Sequence, residues 1–161
     1  MTVRAWIAEP DDAETVARLI CAFRDHYGRD RPSDNTILAG VERLIEQPDT
    51  DFLLAAPDDD SPPLGVAQLR FRFCLWTGAP DCWLEDLFVD ERARRRGLAD
   101  ALLTLAAERA TDRGARRIEL DTNEGNDPAL ALYRRHGFSD QSKKNPDRDL
   151  LLGVALEADP S

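Results

Sequence analysis

The chain has 161 residues, enough for one domain spanning 1–161 with a real core, and its 42% hydrophobic and 32% charged content fits a globular protein, not a disordered one. A formal net charge of −10 excludes general binding to DNA or RNA, which needs a broad basic face, and suits a cationic small molecule better. No apolar run reaches membrane-span length, and the opening MTVRAWIAEPDD lacks the apolar core of a signal peptide, so a cytoplasmic protein with no membrane partner is expected.

Val3–Ile7 reads as a first strand. The helix after it has Asp11 and Glu14 spaced as a capping box, with Val16, Leu19, Ile20 and Phe23 on one face. A second helix runs from Ser33, a capping residue, to Gln47; Ile37, Val41, Leu44 and Ile45 form its apolar stripe and Pro48 stops it. Strands follow at Phe52–Ala56 and Leu64–Phe73, separated by the turn PDDDSPP; Leu69, Phe71 and Phe73 alternate with Gln68, Arg70 and Arg72. The next strand, CWLEDLFV, carries two adjacent carboxylates, Glu85 and Asp86, inside an apolar run. Charge is costly in a central strand unless it is used or solvated, so a bulge or a functional demand is expected there. In a regular strand the two would face opposite ways.

The stretch GLADALLTLAAERATDRG is a helix with Leu98, Ala101, Leu102, Leu105 and Ala106 on one face and Gly114 at its end. RRIELDT is a strand, NDPALALYRRHGF a short helix with Asp127 as its cap and Pro128 at its first position, and DLLLGVALE a closing strand. The order is mixed α/β, with hairpins early and a strand–helix–strand unit late. Cys21, Cys74 and Cys82 form no CxxC pair and are expected buried and reduced. His26 and His136 have no metal-ligand spacing around them, so no metal site is expected.

Between the CWLEDLFV strand and the helix after it lies ERARRRGLA, an arginine island in an acidic chain. Charge runs are often plain solvated surface. A loop opening onto a helix N-terminus, however, is also where backbone N–H groups and the helix dipole hold a phosphate, with Gly97 shaping the backbone, Ala99 keeping the first turn slim and arginines adding charge-assisted bonds. GxGxxG and GxxxxGK[ST] are both absent, leaving Arg94-x-x-Gly97-x-Ala99.

LEDLFVDERARRRGLADALL followed by NEGNDPALALYRRHGFSD resembles the GCN5-related N-acetyltransferase superfamily in motif, order and spacing. Its pyrophosphate loop is matched by Arg94, Gly97 and Ala99, and its later asparagine–helix–tyrosine motif by Asn126, Tyr133, Gly137 and Phe138. The LED-x-x-V stretch is similar to the spermidine/spermine (diamine) branch, although Arg24, Arg29 and Arg31 depart from the acidic pattern of polyamine enzymes. The resemblance implies an α/β fold with a mostly antiparallel central sheet, a splayed parallel strand pair and about four flanking helices. It implies acetyl-CoA as cosubstrate, with its pyrophosphate on the loop Arg94, Arg95, Arg96, Gly97, Leu98 and Ala99. Pantetheine would lie against the backbone of Leu87, Phe88 and Val89, with Asn126 in the second motif. The arginines touching phosphate stay open, Arg92 and Arg96 being the candidates for plain surface.

The activity implied is acetyl transfer to a primary amine of a small molecule, by direct attack in a ternary complex. Such a reaction needs a base for the ammonium, an acid for the departing thiolate and donors for the oxyanion. By resemblance Tyr133 is the acid, Glu85 serves the amine directly or through water, and the amide of Phe88 or Val89 is the oxyanion donor. Carboxylates such as Asp25, Glu85 and Asp121 are candidates to hold a cationic acceptor. A catalytically silent acyl-CoA-binding or regulatory module, a protein or peptide N-acetyltransferase, and a structural domain with a solvated basic loop are the alternatives. Members of the family are often dimers, and the apolar C-terminal strand could pair across a homodimer interface.

Overall fold

A computed structural model describes residues 2–141 and 144–156 of the chain. Its packing divides the chain into two compact units, Met1–Leu120 and Asp121–Ser161.

The first unit is a five-stranded sheet in the order β1 (Arg4–Ile7), β2 (Thr50–Ala56), β3 (Gly65–Cys74), β4 (Ala79–Val89) and β5 (Ile118–Glu119). The first three pairings are antiparallel and β4 pairs with β5 in parallel. Helices α1 (Ala13–His26) and α2 (Asp34–Ile45) connect β1 to β2, and α3 (Leu98–Asp112) connects β4 to β5. This is the mixed sheet with a parallel pair that the family resemblance implies.

Strand alternation divides the sheet into two covered faces. Phe52, Leu54, Val66 and Phe88 pack with Val16 and Leu19 of α1 and Ile37 and Val41 of α2 in one core cluster. Leu53, Ala55, Ala67 and Leu69, the alternate residues of β2 and β3, are fully buried, as are Leu102 and Ala106 of α3. Sequestering each such leucine stabilises the fold by about 1.5–3 kcal/mol. Gly65 lets α3 lie close, because a Cβ there would come within 3.2 Å of Leu102 Cδ1 and 3.6 Å of Leu98 Cβ.

Two caps differ from the sequence reading. A 3-10 turn at Pro10–Asp12 precedes α1, and the Asp12 carboxylate accepts the Glu9 N–H at 3.0 Å, so the local bond lies upstream of the Asp11–Glu14 pair. Pro10, with its φ already fixed, starts the turn early. Ser33 caps α2 as expected, its hydroxyl accepting the Thr36 N–H at 3.2 Å.

In the second unit α4 (Asp127–Arg135) is capped by Asn126, whose side chain accepts the Ala129 N–H at 3.4 Å; Asp127 is therefore the first helical residue, not the cap. Gly137, at φ 88°, follows the helix. The expected closing strand is absent among the described residues: 149–156 form no strand, and Leu150, Leu151, Leu152, Val154 and Leu156 are 70–91% exposed. Apolar β-formers become a strand only against a partner, and among the described residues of this unit the strand-type pairing is the bridge Gln141↔Arg148. Glu157, the last residue of that reading, lies outside the described residues.

The cysteine reading is also corrected. Cys82 is buried, whereas Cys21 and Cys74 are half-buried. Burial, with Asp51 nearby, pushes the Cys82 thiol up to about 12.

One charged cluster fastens α3 to the sheet. Asp51 accepts from Arg109 at 2.7 Å and lies 3.5 Å from Arg113, whose guanidinium also covers the Phe71 ring at 4.0 Å. Removing Asp51 takes away the carboxylate that both arginines share. Asp51→Ala is expected to lower unfolding free energy by about 2–3 kcal/mol, between the exposed-pair and buried-pair ranges because Arg109 keeps contact with water. Urea denaturation measures this, and a variant as stable as the parent would reduce the cluster to surface decoration.

Candidate active site

The two adjacent carboxylates mark a β-bulge. The β3–β4 register pairs Gln68 with Asp86 and then Leu69 with Leu84, so Glu85 is the extra residue. Opposed residues of an antiparallel pair share a face, which places Phe88 with Val66, Asp86 with Gln68 and Trp83 with Arg70 on the α1–α2 side. Glu85 joins them: its Oε2 accepts from Trp83 Nε1 at 3.0 Å and its Oε1 lies 3.9 Å from Arg70. The expectation that only one of the two carboxylates serves this face held for a regular strand; the inserted residue brings both to it.

The same strand loses its outer neighbour at this point. β5 pairs with β4 only at Cys82↔Ile118 and Trp83↔Glu119. From Leu84 onward, β4 has no strand beside it opposite β3 among the described residues. Strand backbone groups on such an edge are available to an extended ligand, and Leu87, Phe88 and Val89 lie along it.

Beyond Val89 the chain turns through a 3-10 turn, Glu91–Ala93, into the arginine loop. Ala93 and Leu98 are buried, and the residues between them are exposed. Arg95 holds φ 62° and Gly97 φ 84°. A non-glycine residue in the left-handed region costs about 1 kcal/mol or more and persists where surrounding structure imposes it. A Cβ at Gly97 would meet only Val3 Cγ2, at 4.0 Å, so its backbone angle and not crowding calls for glycine. The backbone bonding of α3 begins with Ala101 donating to Gly97 O at 3.0 Å, so the Leu98 and Ala99 amides belong to the open positive end of the helix. These donors, with arginines beside them, fit a diphosphate.

The arginines are not equivalent. Arg92 binds Asp90 through Nε at 2.9 Å and a second nitrogen at 3.1 Å, holding that carboxyl below its ordinary range. Arg94 turns back and donates to Val89 O at 3.3 Å. Arg95 and Arg96 stand exposed on the loop.

At the end of α1, Phe23 meets Phe88 edge-on at 5.1 Å and Tyr27 at 5.2 Å; His26 lies 6.1 Å from Phe88 and its Nδ1 is 3.8 Å from Glu91 Oε1. The i, i+3, i+4 spacing of Phe23, His26 and Tyr27 extends the helix stripe that ends at Phe23 in the sequence reading. Asp25 is tied to Arg24 by two hydrogen bonds, at 2.8 and 3.0 Å, and Arg24 also reaches Asp34 at 2.8 Å. That network joins α1 to α2 and engages one of the carboxylates considered for a cation. Trp83 and Arg70 lie in strands the sequence predicts, but strand pattern alone gives neither a role beside Glu85. In the second unit, Tyr133 is half-buried on α4 with its ring 5.8 Å from Phe138, while Asp121 is exposed and Asn126 is the helix cap.

Comparison with known proteins gives this geometry a family. The model of the acetyltransferase (GNAT) family matches residues 13–138. The chain is 27% identical over 135 residues to the uncharacterized N-acetyltransferase YhfO of Bacillus subtilis, covering 84% of this chain and 89% of that one. It is 29% identical over 90 residues to the thialysine N-epsilon-acetyltransferase of Bos taurus, covering 55% of this chain and 52% of the relative. With the mycothiol acetyltransferase of a Nocardioides species it shares 30% over 155 residues, covering 86% and 50%. The chain thus spans about half the length of these two relatives. An acetyltransferase-type structure from Arthrobacter sp. FB24 superimposes with a TM-score of 0.85 at 28% identity, covering 95% of this chain and 96% of that one. The family model covers most of the chain, and the sheet superimposes on a solved member-type structure over nearly its whole length: the chain belongs to the acetyltransferase (GNAT) family.

Proposed function

We propose that the chain, acting as one domain, is an N-acetyltransferase that moves an acetyl group from acetyl-CoA to a primary amine of a small molecule by direct attack. The observation that carries this reading is the loop after β4, where Arg95 and Gly97 hold left-handed backbone angles at the open end of α3. A diphosphate would be held by the amides of Leu98 and Ala99, with Arg95 and Arg96 supplying charge. Pantetheine would run along the unpaired edge of β4 at Leu87–Val89. The relatives named for thialysine and mycothiol support a small acceptor.

In this mechanism Glu85 takes the proton from the acceptor ammonium, directly or through one water, so that the neutral nitrogen attacks the thioester carbonyl. An amide of Phe88 or Val89 donates to the oxyanion that forms. The C–S bond then breaks as the attacking nitrogen, cationic after attack, gives its second proton to solvent; Tyr133, assigned by the family motif, gives its phenolic proton to the leaving thiolate and is reprotonated from solvent. Mixed with acetyl-CoA and a panel of primary amines, the enzyme should release free thiol only with its acceptor, and no release with any amine would refute the activity. Glu85→Gln should lower kcat by roughly a hundredfold and move the rising limb of the pH–rate profile upward, since the amine must then lose its proton to solvent.

The loop has its own test. Ala99→Glu places a carboxylate in the first turn of α3, where helices tolerate it well, but opposes a bound diphosphate. Acetyl-CoA affinity measured by calorimetry should fall at least about tenfold while the melting temperature holds; unchanged affinity would move the phosphates elsewhere.

Tyr133→Phe keeps the ring beside Phe138, so stability should change by no more than about 0.5–1.5 kcal/mol. Turnover should drop by roughly a hundredfold with acetyl-CoA still bound, and by less with an acyl donor whose thiol is more acidic. Full turnover in a folded variant would return Tyr133 to packing.

A further inference from the structure

We infer that Trp83 is the positioning residue for Glu85, fixing the carboxylate at the bulge through its indole N–H. This inference rests on the role of Glu85 proposed above and adds the group that makes that role possible.

Glu85 is poorly restrained by its own segment. It is the unpaired residue of a bulge, its side chain is 39% exposed, and a glutamate has three side-chain torsions to fix. Left alone, the carboxylate would sweep through solvent. Trp83 has the opposite character. It is the last residue of β4 with a partner on each side, Arg70 on β3 and Glu119 on β5, before β5 ends and the β3 register slips. Its large ring turns about only two torsions and presents one donor at its rim. That donor meets Glu85 Oε2 at 3.0 Å, spanning from the last doubly paired residue to the unpaired one. Arg70, opposite Trp83, lies 3.9 Å from Oε1, too far for a hydrogen bond. The indole therefore fixes the direction of the carboxylate and Arg70 biases its field. With Oε2 occupied by the indole, Oε1 is the oxygen left to take a proton from the acceptor.

Rate depends steeply on placement, so a carboxylate that loses its tether loses turnover before it loses binding. Trp83→Phe keeps an aromatic ring and removes the donor. It should lower kcat about tenfold, leave acetyl-CoA affinity within about twofold, and add nothing in a Glu85→Ala background, where there is no carboxylate left to hold.

A second measurement needs no turnover and no change at Trp83. The chain has three tryptophans, Trp6, Trp76 and Trp83, so the indole region of a ¹⁵N–¹H spectrum is simple. In Glu85→Ala the Trp83 N–H signal should move and exchange faster with water, while those of Trp6 and of Trp76, 97% exposed at the hairpin tip, stay put. An unmoved Trp83 signal, wild-type kcat in Trp83→Phe, or an equal loss from Trp83→Phe with and without Glu85 would each overturn the inference. If Glu85→Gln itself keeps full turnover, the base assignment fails first and the positioning role falls with it. A slow Glu85→Gln beside a fast Trp83→Phe would sink the positioning role alone.

Discussion

Residue 85 is one more than β4 needs to pair with β3, and the candidate site is arranged around that surplus. A strand with two regular neighbours has no free backbone and shows alternate side chains to each face. At the bulge both conditions fail within a few residues: the register slips after Leu84, and the parallel neighbour ends at the partner of Trp83. Two carboxylates reach one face, and beyond them an edge of peptide groups opens. The remaining elements of the unit hold that opening in place. Core packing on both faces prevents β4 from sliding back into register, because a one-residue slip would expose Leu84 and bury Glu85.

The charge pattern follows the same economy. In an acidic chain several arginines in and beyond the loop have distinct engagements. Arg92 neutralises Asp90 and Arg94 turns onto the strand end, while the Asp51 cluster uses Arg109 and Arg113 to fasten the far end of the same helix. Helix α3 is thus pinned at its C-terminal turn by charge and at its N-terminal turn by the buried Leu98, so its positive end points in a fixed direction.

Much of this was legible in the residues. Adjacent carboxylates in an apolar run pointed to a bulge or a functional demand, since charge is costly in a regular central strand, and the bulge is there. An arginine–glycine loop between a strand and a helix raised the expectation of an anion site on which the proposed function rests. Helix stripes were legible because their period is local. What was hidden depended on partners distant in sequence. The clamp of Trp83 on Glu85 needs both residues on one face, and strand period suggests that only once the bulge is located. The length of β4, which begins at Ala79, is set by a hairpin that outruns β2 and whose tip carries the exposed Leu75 and Trp76. The run Leu150–Leu156 has the composition of a strand, but composition cannot supply a neighbour. The caps of α1 and α4 shifted by a residue or so because Pro10 and Asn126 compete with the adjacent aspartates for the same role.

The loop between Ala93 and Leu98 is fastened at both ends by fully buried side chains, with Arg95 already in its uncommon backbone state. A flexible loop would have to give up conformational freedom each time an anion arrived, and affinity would be weakened accordingly. Here that ordering was completed during folding. Capture of an anion should therefore be limited by encounter and orientation, with no slow loop-ordering phase, and residence time should be set by how well the preformed amides match the ligand. Under the proposed function, sequence changes in the core beneath the loop, far from any ligand, become changes in the kinetics of anion capture.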